Sequence, residues 1–179
     1  MNSLLTVQDL VNKLIESPKT EYTSILEQLK DCETLFSEFE SWSEKKYTRN
    51  CIYRCDDFEL ILLCWEEGQK TSIHNHGGEE CWLYVLNGKV VEHNFIQNSD
   101  ESLTLVNTET LNARQVSYIN DRIGLHRLGN GSTGRTMSLH LYAKPIERCD
   151  FYCEDSEKFV NKELKYDTFK EIEQTSVQS

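Results

Sequence analysis

The chain has 179 residues, 38% of them hydrophobic and 27% charged, and a formal net charge of −11. That length suits one domain burying roughly two-thirds of its unfolded surface, so a core forms without disulfides. The negative balance excludes sequence-independent nucleic-acid binding, which uses Lys and Arg at phosphates, and adhesion to anionic membranes. No segment reaches the ~20 apolar residues of a membrane span. Met1-Asn2-Ser3-Leu4-Leu5 lacks the basic and apolar regions of a signal peptide. Seven cysteines, an odd number, read as free thiols in a reducing cytoplasm. An acidic surface without sustained apolar heptads predicts a monomer.

Residues 6 to about 45 read as helical. Leu10, Val11, Leu14 and Ile15 share one face of a 3.6-residue period, and Thr6 with Asp9 forms a capping-box pattern. Pro18 ends this helix; Ile25, Leu26, Leu29, Leu35, Phe36 and Phe39 pattern a second amphipathic stretch. From Phe58 to Trp65 the chain is a run of aliphatic, Cys and aromatic residues suited to a buried strand. Residues 81–86 and 89–95 flank Asn87-Gly88, a strong signal for a two-residue hairpin with both turn residues at positive φ. Further strand-like pieces follow at 102–106, 114–119, 124–128, 136–143 and 148–153, a spacing expected of a closed barrel or jelly roll. The charged tail after Glu154 reads as a surface excursion fraying by Ser179.

Two of the five histidines form His74-Asn75-His76. On a strand, residues i and i+2 point to one side, so both imidazoles reach a common ion. Imidazole suits Fe, Zn, Cu and Ni. Three histidines with no fourth protein ligand leave positions open, as catalytic sites do.

The spacing Gly68, His74-x-His76, Cys81, Gly88 resembles the first motif of the cupin superfamily, with Cys81 in the glutamate position. His126-Arg127-Leu128-Gly129-Asn130 resembles the end of the second motif, although Asp121 and Ile123 replace its Pro and Gly. The expected fold is therefore mainly β: a cupin or jelly-roll barrel with N-terminal α-helices. One domain spans 1–179, with helices in 1–45, the barrel in 47–153 and a tail in 154–179. Further blocks narrow the resemblance. Tyr47-Thr48-Arg49-Asn50, Cys64-Trp65, Ser72-Ile73-His74-x-His76, Cys81, Tyr118-Ile119-Asn120-Asp121, Gly124-Leu125-His126-Arg127 and Ser138-Leu139-His140-Leu141-Tyr142 together resemble cysteine dioxygenase.

That resemblance implies oxidation of L-cysteine by O2 to cysteine sulfinate at a non-haem Fe(II), with both oxygen atoms passing to sulfur. It implies His74, His76 and His126 as metal ligands. Arg49 is implied as a bidentate partner for the substrate carboxylate, with Tyr47 beside it on the same face. Ser138, His140 and Tyr142, at i, i+2 and i+4 of a strand, form an inward polar row; in the family this is a relay, so His140 orients Tyr142 instead of binding metal. Cys81 and Tyr142 match a pair that some members join by a thioether bond. Cys149 matches a cysteine near the pocket entrance. The resemblance also implies a place in cysteine catabolism leading towards taurine.

Two alternatives stay open. One is a dioxygenase for another small thiol, 3-mercaptopropionate or cysteamine; Arg49 with Cys81 favours cysteine. The other is a non-catalytic metal-binding cupin. Cys51-x-x-x-Cys55 and Cys149-x-x-x-Cys153 are too loosely spaced for a zinc site, and His93, with Glu92 and Asn94, reads as a solvated strand position.

Overall fold

The computed structural model describes residues 6–30 and 32–170. The readings made on Met1–Leu5 and on fraying at Ser179 lie outside them. Helix α1 (Val7–Glu16) starts as its sequence predicts: the Thr6 hydroxyl accepts from the Asp9 amide, and the Asp9 carboxylate accepts from the Thr6 amide. Pro18 then forces a break, and α2 (Tyr22–Leu26) is short. Residues 33–39 form 3-10 turns, and the helical texture ends there, before residue 45. Ser37 donates its hydroxyl to the Thr34 carbonyl, the local competition that keeps such residues out of longer helices.

Strands follow as β1 (Thr48–Arg54), β2 (Glu59–Trp65), β3 (Glu80–Asn87), β4 (Lys89–Gln97), β5 (Leu103–Asn112), β6 (Val116–Ile119), β7 (Leu125–Asn130), β8 (Thr136–Ala143), β9 (Arg148–Cys153), β10 (Lys158–Glu163) and β11 (Thr168–Phe169). Six of them form one sheet in the order β11-β1-β2-β8-β3-β6; β5-β4-β7 and β10-β9 form two smaller sheets. Among the described residues the strands do not close into one continuous barrel. The arrangement is a jelly roll, mainly β, as expected.

Strands β2 and β8 are buried along their whole length because both faces are covered. One face carries Leu60, Leu62, Trp82, Tyr84, Leu139 and Leu141 and packs under α1, α2 and Phe36. The opposite face carries Ile61, Leu63, Trp65, Cys81, Leu83 and Tyr142 and looks into the roll. The N-terminal helices thus seal the back of the sheet whose front holds the polar residues.

Two expectations need correction. Asn87-Gly88 is not a hairpin: β3 pairs with β8 and β6, whereas β4 pairs with β5 and β7. Asn87 stays in register opposite Met137 past a bulge, and Gly88 alone takes a positive φ (78°). It turns the corner between sheets, where a Cβ would sit 2.3 Å from the Thr136 hydroxyl. The hairpin belongs to β4 and β5, closed by the Asn98–Ser102 turn. Nor does the tail, though mostly exposed at the surface as expected, lack strand pairing. Strand β10 pairs antiparallel with β9, and β11 adds a parallel strand beside β1.

Candidate metal centre and substrate pocket

His74 and His76 stand on an extended segment instead of a regular strand. His74 makes isolated bridges to His126 on one side and Phe151 on the other. Its amide donates to the His126 carbonyl at 3.0 Å, and the His126 amide returns the bond at 3.1 Å. This clamp between β7 and β9 brings both imidazoles against that of His126. Ring centroids are 4.7 Å apart for His74–His126 and His76–His126, and 5.5 Å for His74–His76. One nitrogen from each of the three lies within 4.8 Å of the others, and all three residues are buried.

Neighbouring groups orient the rings. His126 Nδ1 lies 2.6 Å from the Glu92 carboxylate, and His74 Nδ1 lies 2.9 Å from the Ser72 carbonyl. Both acceptors require an N–H, which leaves Nε2 bare on each ring. The Asp121 carboxylate accepts the amides of His76 and Gly78, both at 2.6 Å, and lies 3.5 Å from His76 Nδ1. Burial, then the proximity of the other imidazoles, pushes His74 and His126 well below the ordinary histidine range, so both are neutral. The Nε2 atoms of His76 and His126 face each other at 3.1 Å. Lone pairs converging in a buried space fit a divalent cation.

Glu92 was passed over in the sequence together with His93. It is buried, and Ser117 donates to its second oxygen at 2.7 Å. Burial pushes its carboxyl up, against the hydrogen bond from Ser117. The available signal was alternation: Val90 is buried two residues earlier, so Glu92 faces the same way.

Beside the histidines lies a pocket walled by Tyr47, Arg49, Trp65, His140, Tyr142 and Cys149, with Leu164 and Phe151 at its side. It encloses about 390 Å³ counting its mouth, which suits a small molecule. Tyr47 stacks on Trp65 at 4.6 Å. The Trp65 indole donates to the Ser138 hydroxyl at 3.0 Å, and Ser138 lies 2.9 Å from His140 Nε2. The His140 ring then stacks on Tyr142 at 6.2 Å between centroids. Burial, then the positive charge of Arg49, pushes His140 well down and keeps it neutral. The polar row of β8 therefore faces the pocket, with His140 outside the three-histidine cluster.

Arg49 has Nε and Nη2 buried without a hydrogen-bond partner. Unpaired guanidinium N–H groups at a pocket wall cost desolvation free energy unless a ligand satisfies them. Cys81 stands directly opposite Tyr142 across β3 and β8. Burial raises both groups, and each sits beside the other. His93 and the two Cys-x-x-x-Cys pairs contribute nothing to the cluster. Among the described residues no disulfide joins any cysteine pair, and no helix is long and apolar enough to cross a membrane.

Comparison with known proteins agrees with the geometry. Residues 3–155 match the family model for cysteine dioxygenase type I. Cysteine dioxygenase type 1 of Homo sapiens is 36% identical over 133 residues, covering 72% of this chain and 66% of that protein. The Danio rerio protein of that name is 32% identical over 155 residues, covering 80% and 77%. The chain thus spans just under two-thirds of the human relative. Among solved structures, a Klebsiella pneumoniae protein with a double-stranded β-helix domain superposes with a TM-score of 0.51 at 15% identity, covering 72% of this chain and 94% of the other. The TT1209 protein of Thermus thermophilus gives 0.51 at 18% identity, covering 65% and 98%, and shares the fold. The chain belongs to the cysteine dioxygenase type I family.

Proposed function

We propose that this chain oxidises L-cysteine with O2 to cysteine sulfinate at a mononuclear Fe(II) held by His74, His76 and His126. One observation carries the reading: three converging imidazoles, two of which line the pocket, lie beside Arg49, a pocket residue whose Nε and Nη2 have no hydrogen-bond partner. When bound, Fe(II) would activate O2 towards sulfur, whose own oxidation to the sulfinate level provides the electrons. Three neutral ligands leave the iron's charge uncompensated, which favours a thiolate from the substrate. Arg49 holds the substrate carboxylate through two charge-assisted hydrogen bonds, and Tyr47 packs beside it. Glu92, Ser72 and Asp121 keep the imidazoles aimed at the metal. Ser138 and His140 fix the Tyr142 phenol at the pocket wall, and burial keeps that phenol protonated as a donor.

The direct opposition of Cys81 and Tyr142 supports a thioether between Sγ and the tyrosine ring, with two hydrogens lost to O2. Such a bond immobilises the Tyr142 hydroxyl and removes a thiol. The thiols of Cys51, Cys64, Cys81 and Cys149, buried and not joined by disulfides, support action in a reducing cytoplasm.

The test is anaerobic loading with Fe(II), addition of O2 with cysteine, 3-mercaptopropionate or cysteamine, and assay of sulfinate. Turnover preferring cysteine is expected. No turnover with any thiol overturns the enzymatic reading; equal turnover of cysteamine overturns the role of Arg49.

A further inference from the structure

Strand β1, which carries Arg49, would be the edge of the six-stranded sheet were it not for the tail. An edge strand has main-chain groups without partners. Here Asp167 satisfies both main-chain groups of Arg49. Its Oδ2 accepts the Arg49 amide at 2.9 Å, and its own amide donates to the Arg49 carbonyl at 2.7 Å. Lys46 Nζ holds Oδ1 of the same carboxylate at 2.7 Å. One residue later, Thr168 donates to Asn50 at 2.8 Å and stands in register with it.

The same segment reaches the pocket at Leu164 and, through Tyr166, a strand neighbour of the pocket residue Tyr142. The Tyr166 hydroxyl accepts from Arg54 at 3.0 Å and donates to Glu59, a fully buried carboxylate that also accepts the Ile146 amide at 3.1 Å. Glu59 is the register partner of Tyr142 across β2 and β8. The segment therefore touches the strand of the carboxylate-binding residue and the neighbour of the phenol. It lies beyond residue 155, where the family match ends.

We propose that residues 164–168 are a strap that fixes Arg49 and thereby sets the preference for thiols carrying a carboxylate, with Asp167 and Tyr166 as its positioning residues. This rests on the reading of Arg49 given above. Neither residue touches the reacting atoms. Their effect is confined to how well the guanidinium meets the carboxylate, so it appears in KM for cysteine and not in kcat.

The experiment compares wild type with Asp167→Ala in iron-loaded protein, and amide hydrogen exchange across β1 in metal-free protein. In Asp167→Ala the cysteine KM should rise roughly tenfold with kcat within about twofold, because a small misplacement weakens binding without changing the reacting groups. The KM or inhibition constant of cysteamine, which has no carboxylate, should stay unchanged. Exchange at the Arg49 amide should accelerate, and Asp167→Asn, which keeps an acceptor oxygen, should restore the cysteine KM. An unchanged cysteine KM, or equal loss for cysteine and cysteamine, overturns the strap. Should Asp167→Ala fail to fold, Tyr166→Phe replaces it, with a severalfold rise in cysteine KM expected and the same outcomes overturning the proposal. If wild type turns over no thiol, the proposed function has failed, and the strap is judged by exchange: no acceleration at Arg49 then rejects it.

Discussion

Strands β2, β3 and β8 present two chemistries, one on each face, and both faces are buried. The back face is apolar: Leu60, Leu62, Leu139 and Leu141 pack beneath the N-terminal helices. The front face mixes apolar residues with Trp65, Ser138, His140, Tyr142 and Cys81. The back needs chiefly shape, because dispersion and water exclusion are non-directional, and its polar atoms on Trp82 and Tyr84 donate to the Thr23 hydroxyl and the Leu29 carbonyl. The front needs partners, because each buried polar atom costs free energy unless hydrogen-bonded. Most front-face atoms find them, as Trp65, Ser138 and His140 do. Where partners run out, at Nε and Nη2 of Arg49, the pocket opens. On this face, that gap in hydrogen bonding supports Arg49 as the anchor for a ligand.

Substitutions on the two faces should therefore separate metal and substrate effects from stability. His126→Ala should have the largest effect, abolishing iron loading and all sulfinate formation; metal analysis showing full stoichiometry would remove His126 from the ligand set. Next, Arg49→Ala should raise the cysteine KM roughly 10²-fold, the loss of about 3 kcal/mol of charge-assisted hydrogen bonding, with iron content unchanged. Glu92→Ala should weaken metal binding by about 10–100-fold, read by competition with a chelator, because the Nδ1–H of His126 loses its acceptor. On the back face, Leu139→Ala should cost about 2–5 kcal/mol in denaturant unfolding and leave the preference among thiols intact; a changed preference would mean that the faces are not independent. The smallest effect concerns Cys149. Burial pushes its thiol up to about 12, so the thiolate is scarce throughout neutral pH and appears only as pH rises towards that value. Alkylation by iodoacetamide at pH 8 should be far slower than for a free thiol.

The front face was largely legible in the sequence because its signals are local. His74-x-His76, the i, i+2, i+4 row of β8 and the buried run of β2 each follow from strand alternation. Three features were not legible, and each depends on distant partners. Glu92 is a lone acid in a mixed strand, and only the ring of His126, 34 residues on, explains its burial. Asn87-Gly88 is a strong local hairpin signal, but the strands on either side join different sheets, and the glycine serves a corner. Strands β10 and β11 lack an apolar alternation, since they lie at sheet edges with most residues exposed. Their pairing is set by main-chain groups of β9 and β1, which composition does not reveal.

The most direct test of the front-face account is X-ray absorption at the iron edge of the loaded protein, before and after anaerobic cysteine. The account predicts an all nitrogen/oxygen shell with three imidazoles in the resting state, and a sulfur neighbour once cysteine is added. A sulfur neighbour in the resting protein, or none after cysteine, would contradict it.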